Sequence, residues 1–393
     1  MDTNNLFSSF WMAGFECSDK LNCFGERVDL LKSSGHLQKV EEDYENLLKF
    51  NLHTVREGVG WARCETSPFH YDFSPVKLRL NVAADTNIQI IWDLCHFGFP
   101  DDLTPLHPKF EKRFIAFCKA FAHTFKDAAN GRKLLVTPIN EINFLSWLGG
   151  DVAGTSPYCK GMGWDIKYKL TKAFIAGIEC IKNIIPDAIV LTSEPLIFTV
   201  PQDEYNQEHE KSSRDQNEFQ FQVTDILTGK ICPELNGNKN LIDIIGVNFY
   251  HNNQFENGTS TLLNWQLHER DSRWKPLHIL LQELHEKYLL PIYISETSHS
   301  KELRSSWLEY ITQECIETIK KKIPLKGVCI YPIVDRKDWD FTNEWHQSGL
   351  WDNLSFMNGK DRSLNQEYAM TLLRMQKKIG MNGELNKITA SMA

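Results

Sequence analysis

Apolar runs and stretches of helical spacing alternate from one end of the chain to the other. Short apolar runs occupy residues 10–16, 53–57, 88–94, 134–140, 188–193, 241–250, 291–295 and 327–334, and each reads as a buried strand. Between them, apolar residues recur every three or four positions over 37–50, 108–125, 166–184, 276–289, 303–320 and 365–378. That spacing predicts helices with one buried face. The stripe is Val40, Tyr44, Leu47 and Leu48 in the first of these and Phe110, Phe114, Phe117, Phe121 and Phe125 in the second. Strands that return every 35–55 residues or so, with helices between, suit repeated β-α units. The pattern predicts an α/β fold, a single-domain (β/α)8 TIM barrel.

No shift of composition marks a linker. The polar segment 201–217 reads as a loop insertion, rich in turn-forming and charged residues. The barrel core is expected over about 8–378, and 379–393 loses periodicity and is expected to fray. A chain of 393 residues with 42% hydrophobic and 24% charged residues is globular in type. Its net charge of −8 argues against a nucleic-acid or anionic-membrane partner. No uncharged run approaches the length of a membrane span. The ten cysteines are scattered, with no Cys-x-x-Cys pair, and read as free thiols in a reducing compartment. Residues 6–15 are apolar but lack a basic flank and run into Glu16. A signal peptide is therefore not expected, and the cytoplasm is.

Chemistry enters at the ends of the strands. The run at 134–140 passes from Leu and Val to Asn140 and Glu141, and the run at 291–295 delivers Glu296. In a parallel barrel the C-terminal ends of the strands carry the catalytic groups. The other ends offer Arg56, His96, Glu194-Pro195, Asn248-Phe249-Tyr250, and Tyr331 followed by Asp335, Asp338 and Trp339. Singly, each has a plain structural reading: Arg56 as a core ion-pair partner, His96 as a satisfied buried histidine, Glu194 as a helix-start carboxylate. Together they supply two carboxylates, a cation to hold one ionised, and an aromatic and amide rim, which is what glycoside hydrolysis needs.

Seven motifs in order resemble the retaining β-glycosidases of the (β/α)8 clan that contains glycoside hydrolase family 1, in a shortened, bacterial-type form. Arg56-x-x-x-x-Trp61-x-Arg63 is similar to that family's Arg-Phe-Ser-x-Ser-Trp-x-Arg, and Cys95-His96-Phe97 to its Tyr-His-Trp. Asn140-Glu141-Ile142 resembles Asn-Glu-Pro, and the segment from Ile245 to Tyr250 resembles Ile-Gly-x-Asn-Tyr-Tyr. Ile294-Ser295-Glu296-Thr297 resembles Ile-Thr-Glu-Asn, the stretch from Tyr331 to Trp339 resembles Trp-Ser-Leu-x-Asp-Asn-Phe-Glu-Trp, and Gly349-Leu350-Trp351-Asp352 fits the loop beyond it. The departures are Ile142 for Pro, Phe97 for Trp, Asp338 for Glu, and Glu16 near the position of a glycone-binding Gln.

The resemblance implies Glu296 as nucleophile, steadied by Arg56, Asn140 and Tyr250. It implies Glu141 as general acid and then base, the two carboxyls standing about 5–5.5 Å apart as retention requires. Asn140 would bond the sugar 2-OH. His96, Asp338 and Trp339 would hold the rest of the glycone, with Tyr331 and Glu16 in the same pocket and Glu194 in its wall. It calls for no metal or organic cofactor, and the partner is a small-molecule glycoside or oligosaccharide. Transglycosylation on the same residues, or an inactive glycan-binding barrel, are the rival readings. An unphosphorylated gluco- or galacto-configured glycone is expected, because Asp338, Asp340 and Glu16 would repel a phosphate. The adjacent cations Arg336 and Lys337 are expected on a solvated loop face.

Overall fold

The computed structural model describes residues 6–353 and 362–391, the last ten of these without their side chains. Most of the expected C-terminal tail therefore lies outside the described side chains. The barrel strands are β1 (Trp11–Gly14), β2 (Thr54–Gly58), β3 (Gln89–Cys95), β4 (Leu135–Ile139), β5 in two short pieces (Ile189–Val190 and Glu194–Pro195), β6 (Ile245–Asn248), β7 (Ile292–Thr297) and β8 (Leu325–Ile330). All neighbours are parallel, and β1 pairs with both β2 and β8. Closure falls on β5. Its first piece pairs with β4 and its second with β6. Between them Leu191 bridges Ile244 and the Thr192 amide donates to Ile244. The eight strands thus complete a (β/α)8 barrel.

Two cores follow from strand alternation. Inside the barrel, Met12, Ile91, Leu135, Leu191, Ile244, Tyr293 and Cys329 pack as one cluster. Outside, the alternate residues meet the helices in a much larger cluster. Helices α1 (Val40–Leu48), α2 (Ser74–Asp85), α3 (Phe110–Ala128), α4 (Ile142–Gly150) and α5 (Gly163–Ile184) lie along the first half. Phe110, Phe114, Phe117, Phe121 and Phe125 are all buried, so the α3 stripe packs as its spacing predicts. Losing one such ring, as in Phe114→Ala, costs about 3–5 kcal/mol.

Three helices depart from expectation. The segment read as a loop insertion contains α6 (Gln207–Phe219). Asn206 caps it through Glu208 N and His209 N, and Ser213 and Asn217 tie it to the Thr199 carbonyl. It docks through polar contacts, which leave no hydrophobic stripe to read. Helix α2 buries Arg79 while exposing Leu78, so its apolar period is blurred. Helix α4 begins at the residue after Glu141 and is apolar on most sides, which masks its period. Apart from two four-residue helices at Leu30–Ser33 and Trp61–Cys64, the remaining helices among the described residues are α7 (Gln222–Leu227), α8 (Leu277–Tyr288), α9 (Arg304–Lys320) and α10 (Gln366–Ser391). All ten cysteines are free thiols. Among the described residues no helix is long and apolar enough to cross a membrane.

Candidate active site

The strand ends converge on one side of the barrel. Arg56 is fully buried on β2, its side chain pointing inward. One guanidinium nitrogen bonds the Glu296 carboxylate at 2.5 Å. The other donates to Asn140 Oδ1 at 2.7 Å and pairs with Asp93 at 2.6 Å. Tyr250 donates its hydroxyl to the second Glu296 oxygen at 2.8 Å. Burial, then the Glu296 charge, push the Tyr250 phenol well above its usual range and keep it a donor. Glu296 is therefore a buried carboxylate with each oxygen held by a fixed donor.

Glu141 has a different setting. The backbone leaves β4 and turns left-handed at Glu141, with φ +46° and ψ +55°. Its amide is held by the Ser193 carbonyl at 2.8 Å. Its carboxyl receives one bond, from Asn248 Nδ2 at 2.7 Å. Asn248 is oriented by hydroxyls of Ser193 and Ser295 at its carbonyl oxygen, 3.0 and 2.6 Å away. Asn248 is also the β6 residue paired with Glu296 across an irregularity in the β6–β7 ladder. Burial, reinforced by the Glu296 charge, drives the Glu141 carboxyl well above the ordinary range. The Asn248 bond opposes this without reversing it.

His96 connects the pair to the first strand. Its Nε2 lies 3.2 Å from Asn140 Nδ2, and its Nδ1 lies 3.1 Å from Asp93 and 3.2 Å from Cys17 Sγ. Burial disfavours the imidazolium, but Cys17, Asp93 and Glu16 outweigh it and raise His96 well above its usual value. The Tyr331 ring stacks parallel to His96 and sits under the Arg56 guanidinium. It fits because β1 carries Gly14 there, where any Cβ would collide with the ring. Cys17, Asp93 and His96 are the group among the described residues close enough to hold a metal ion. The Asp93 oxygen they share is already paired with Arg56, so the set reads as a hydrogen-bonded cluster around a cation already in place.

Glu16 is buried and faces His96 at 3.8 Å and Arg336 at 3.4 Å. Burial alone would raise its carboxyl, but Arg336, His96 and Ser18 hold it low. Arg336 corrects an expectation. It does not stand on a solvated face. Its side chain is 14% exposed, pairs with Glu16 and lies over Trp339 at 5.3 Å. Trp339 is packed on by Phe97 and Phe144 and has a buried, unpaired indole N–H. Lys20, also buried, places its ammonium 5.1 Å from the same ring. One Asp338 oxygen accepts the Asp340 and Phe341 amides and so shapes its own turn. Glu194 bonds the Ile142 and Asn143 amides at 2.8 and 3.0 Å and the Asn143 side chain at 2.9 Å. This is the helix-start carboxylate, serving α4.

Asn248 was noted at its strand end but given no role, and Asp93, Cys17, Lys20 and Phe144 were not assigned to the site from the sequence. Asn248 and Asp93 had a usable signal, since both are polar residues in apolar strand runs. Cys17 and Lys20 had none. A separate cleft of about 430 Å³ between the starts of α3 and α5, lined by His107, Trp164 and Tyr168 among others, contains none of the strand-end residues.

The fold can be placed among known ones. No family model and no curated protein matches the sequence. Solved structures do match. The β-glucosidase of Thermotoga maritima in complex with glucoimidazole superposes with a TM-score of 0.74 at 14% identity, over 94% of this chain and 98% of that one. The family 1 β-glucosidase structure from the same organism gives 0.74 at 14% identity, over 96% and 99%. Its complex with deoxynojirimycin gives 0.72 at 13% identity, over 94% and 99%. The chain is a (β/α)8 barrel. More particularly, its fold is that of the family 1 glycosidases, over nearly its whole length.

Proposed function

We propose that the protein is a retaining, exo-acting β-glycosidase that cleaves small β-glycosides through a covalent glycosyl-enzyme. The observation that carries this is the contrast between two buried carboxyls on one barrel rim. Glu296 is braced by Arg56 and Tyr250, while Glu141 has one neutral amide and stays protonated above the usual range. In the first step Glu296 attacks the anomeric carbon as Glu141 gives its proton to the leaving oxygen. Forming the ester removes the Glu296 charge, so the Glu141 carboxyl falls in pKa. It then takes a proton from water, whose oxygen displaces Glu296. The Nε2 of His96 and Nδ2 of Asn140, 3.2 Å apart, suit neighbouring sugar hydroxyls, Asn140 taking the 2-OH. Trp339 and Tyr331 form the pocket's aromatic side. Neither step requires a metal or organic cofactor.

The glycone is unphosphorylated, gluco- or galacto-configured. Although Arg336 turns inward, its guanidinium is paired with Glu16. The Lys20 ammonium faces Asp340, Asp338 and Glu16. Asp338, Asp340 and Glu16 answer Arg336, Lys20 and His96 charge for charge, which leaves no surplus positive charge in this cluster to hold a dianionic phosphate. The test is a screen of nitrophenyl glycosides with wild type and Glu296→Ala, following the anomer first released by NMR, and a comparison of an aryl β-glucoside with its 6-phosphate. An inverted anomer, turnover that survives Glu296→Ala, or a strong preference for the phosphate would overturn the corresponding claim.

A further inference from the structure

We propose that Glu194 is a positioning residue for Glu141, holding the left-handed backbone turn that aims the acid/base carboxyl; this rests on the glycosidase reading for its catalytic consequence alone. Three observations converge. The first is strain. A non-glycine residue at φ +46° is strained and persists only where its surroundings fix it. The second is a vacancy in capping. Glu141 is the N-cap residue of α4, yet its side chain makes no cap bond. Its carboxyl is turned into the pocket toward Asn248 instead. The open amides of Ile142 and Asn143 are taken by the two Glu194 oxygens, from a strand more than fifty residues away. An N-terminal turn satisfied by a buried carboxylate is favoured by the helix dipole as well as by the bonds.

The third is continuity. Glu194 follows Ser193, whose carbonyl holds the Glu141 amide. Glu194-Pro195 pairs with Val247-Asn248 of β6, and Asn248 holds the Glu141 carboxyl. One short strand pair therefore fixes the backbone before Glu141, the backbone after it, and its side chain. Burial raises the Glu194 carboxyl to about 7, and the negative charge it carries above that pH is close enough to favour protonated Glu141. The charged groups facing Glu194 are Lys167 of α5 and Glu141 itself. Those facing Glu141 are Glu296, His96 and Glu194.

Glu194→Gln keeps the side-chain volume but sets an amide NH2 against one backbone N–H. The test follows the Glu141 carboxyl resonance through a pH titration by ¹³C NMR, in wild type and Glu194→Gln, beside kcat/KM on an alkyl and a dinitrophenyl glycoside. The expected result is a lower Glu141 pKa, an alkaline limb moved to lower pH, and a loss of about 10–100-fold on the alkyl substrate. The loss on the dinitrophenyl substrate is much smaller, and azide restores part of what is lost. A merely structural role would lower the melting temperature and depress both substrates alike, and that result overturns the proposal. So does a Glu141 titration identical to wild type. Asn143→Ala, which removes one Glu194 partner and leaves both backbone bonds, should leave the Glu141 titration within a few tenths of a unit, and a shift as large as that of Glu194→Gln also overturns it. The resonance needs no turnover. An inactive wild type would sink the glycosidase reading while this measurement still decides the positioning role.

Discussion

Arg56 and Glu57 are neighbours on β2, and the two faces they serve treat a buried carboxyl in opposite ways. Outside the barrel, Glu57 is fully buried and receives His36 Nε2, Tyr44 Oη and Arg79 Nη1, each at 2.8 Å. The network continues from His36 to Asp43 and on to Arg362. Burial opposes ionisation there, yet the His36 and Arg79 charges win and hold Glu57 down at about 2. Inside, Glu141 is almost as buried, and with one neutral donor it rises well above the usual range. Burial alone therefore does not fix whether a carboxyl is ionised. The charge and number of its partners decide whether it is held ionised or kept protonated. Glu57 is fully paired and fixed, while Glu141 keeps a proton to give.

The comparison can be broken most sharply on the inner face. Glu296→Ala should lower kcat/KM by about 10⁴-fold or more on every glycoside, with an unchanged circular dichroism spectrum. Next in size, Glu141→Ala should cost about 10³-fold on alkyl glycosides and far less on activated aryl ones. Azide should recover part of that rate, and equal losses on all leaving groups would reassign the residue. On the outer face, Glu57→Gln should leave kcat intact in the folded enzyme but destabilise it by about 3 kcal/mol, the lower range for a broken buried ion pair. Denaturant melts would read that loss.

The pH dependence separates the two faces again. Glu57 has a folded pKa below its free value of 4.5, so its stabilisation is complete above that value and is lost as pH falls from 4.5 toward about 2. Acid unfolding of Glu57→Gln should be correspondingly flatter in that window. Glu141 has the opposite sign. Its raised pKa contributes stability below 4.5 that is lost as pH rises through the folded value. The smallest effect follows: Glu141→Gln, which needs to take up no proton to be buried, should gain about 1 kcal/mol at neutral pH while losing activity. A Glu141→Gln protein less stable than wild type at pH 7 would count against this electrostatic reading.

The sequence alone determined the period of the barrel, because strand and helix periodicity are local properties. The Phe stripe of α3 and the apolar run of β4 needed no distant partner to be read. Strand ends also drew attention to Glu141 and Glu296, since polar residues that close an apolar strand are visible in one dimension. What faces what was decided only by the tertiary structure. Nothing local distinguishes Arg56, pointing in at Glu296, from Glu57, pointing out at His36. The same holds for Arg336. Beside Lys337 it reads as solvated, yet Glu16, some 320 residues earlier, draws it inward. Glu194 reads as pocket wall until its two oxygens are seen on the amides of α4. A side chain's partners across a barrel are set by closure of the sheet and by bulges in its ladders. Its protonation is then set by those partners, and no spacing along the chain encodes either.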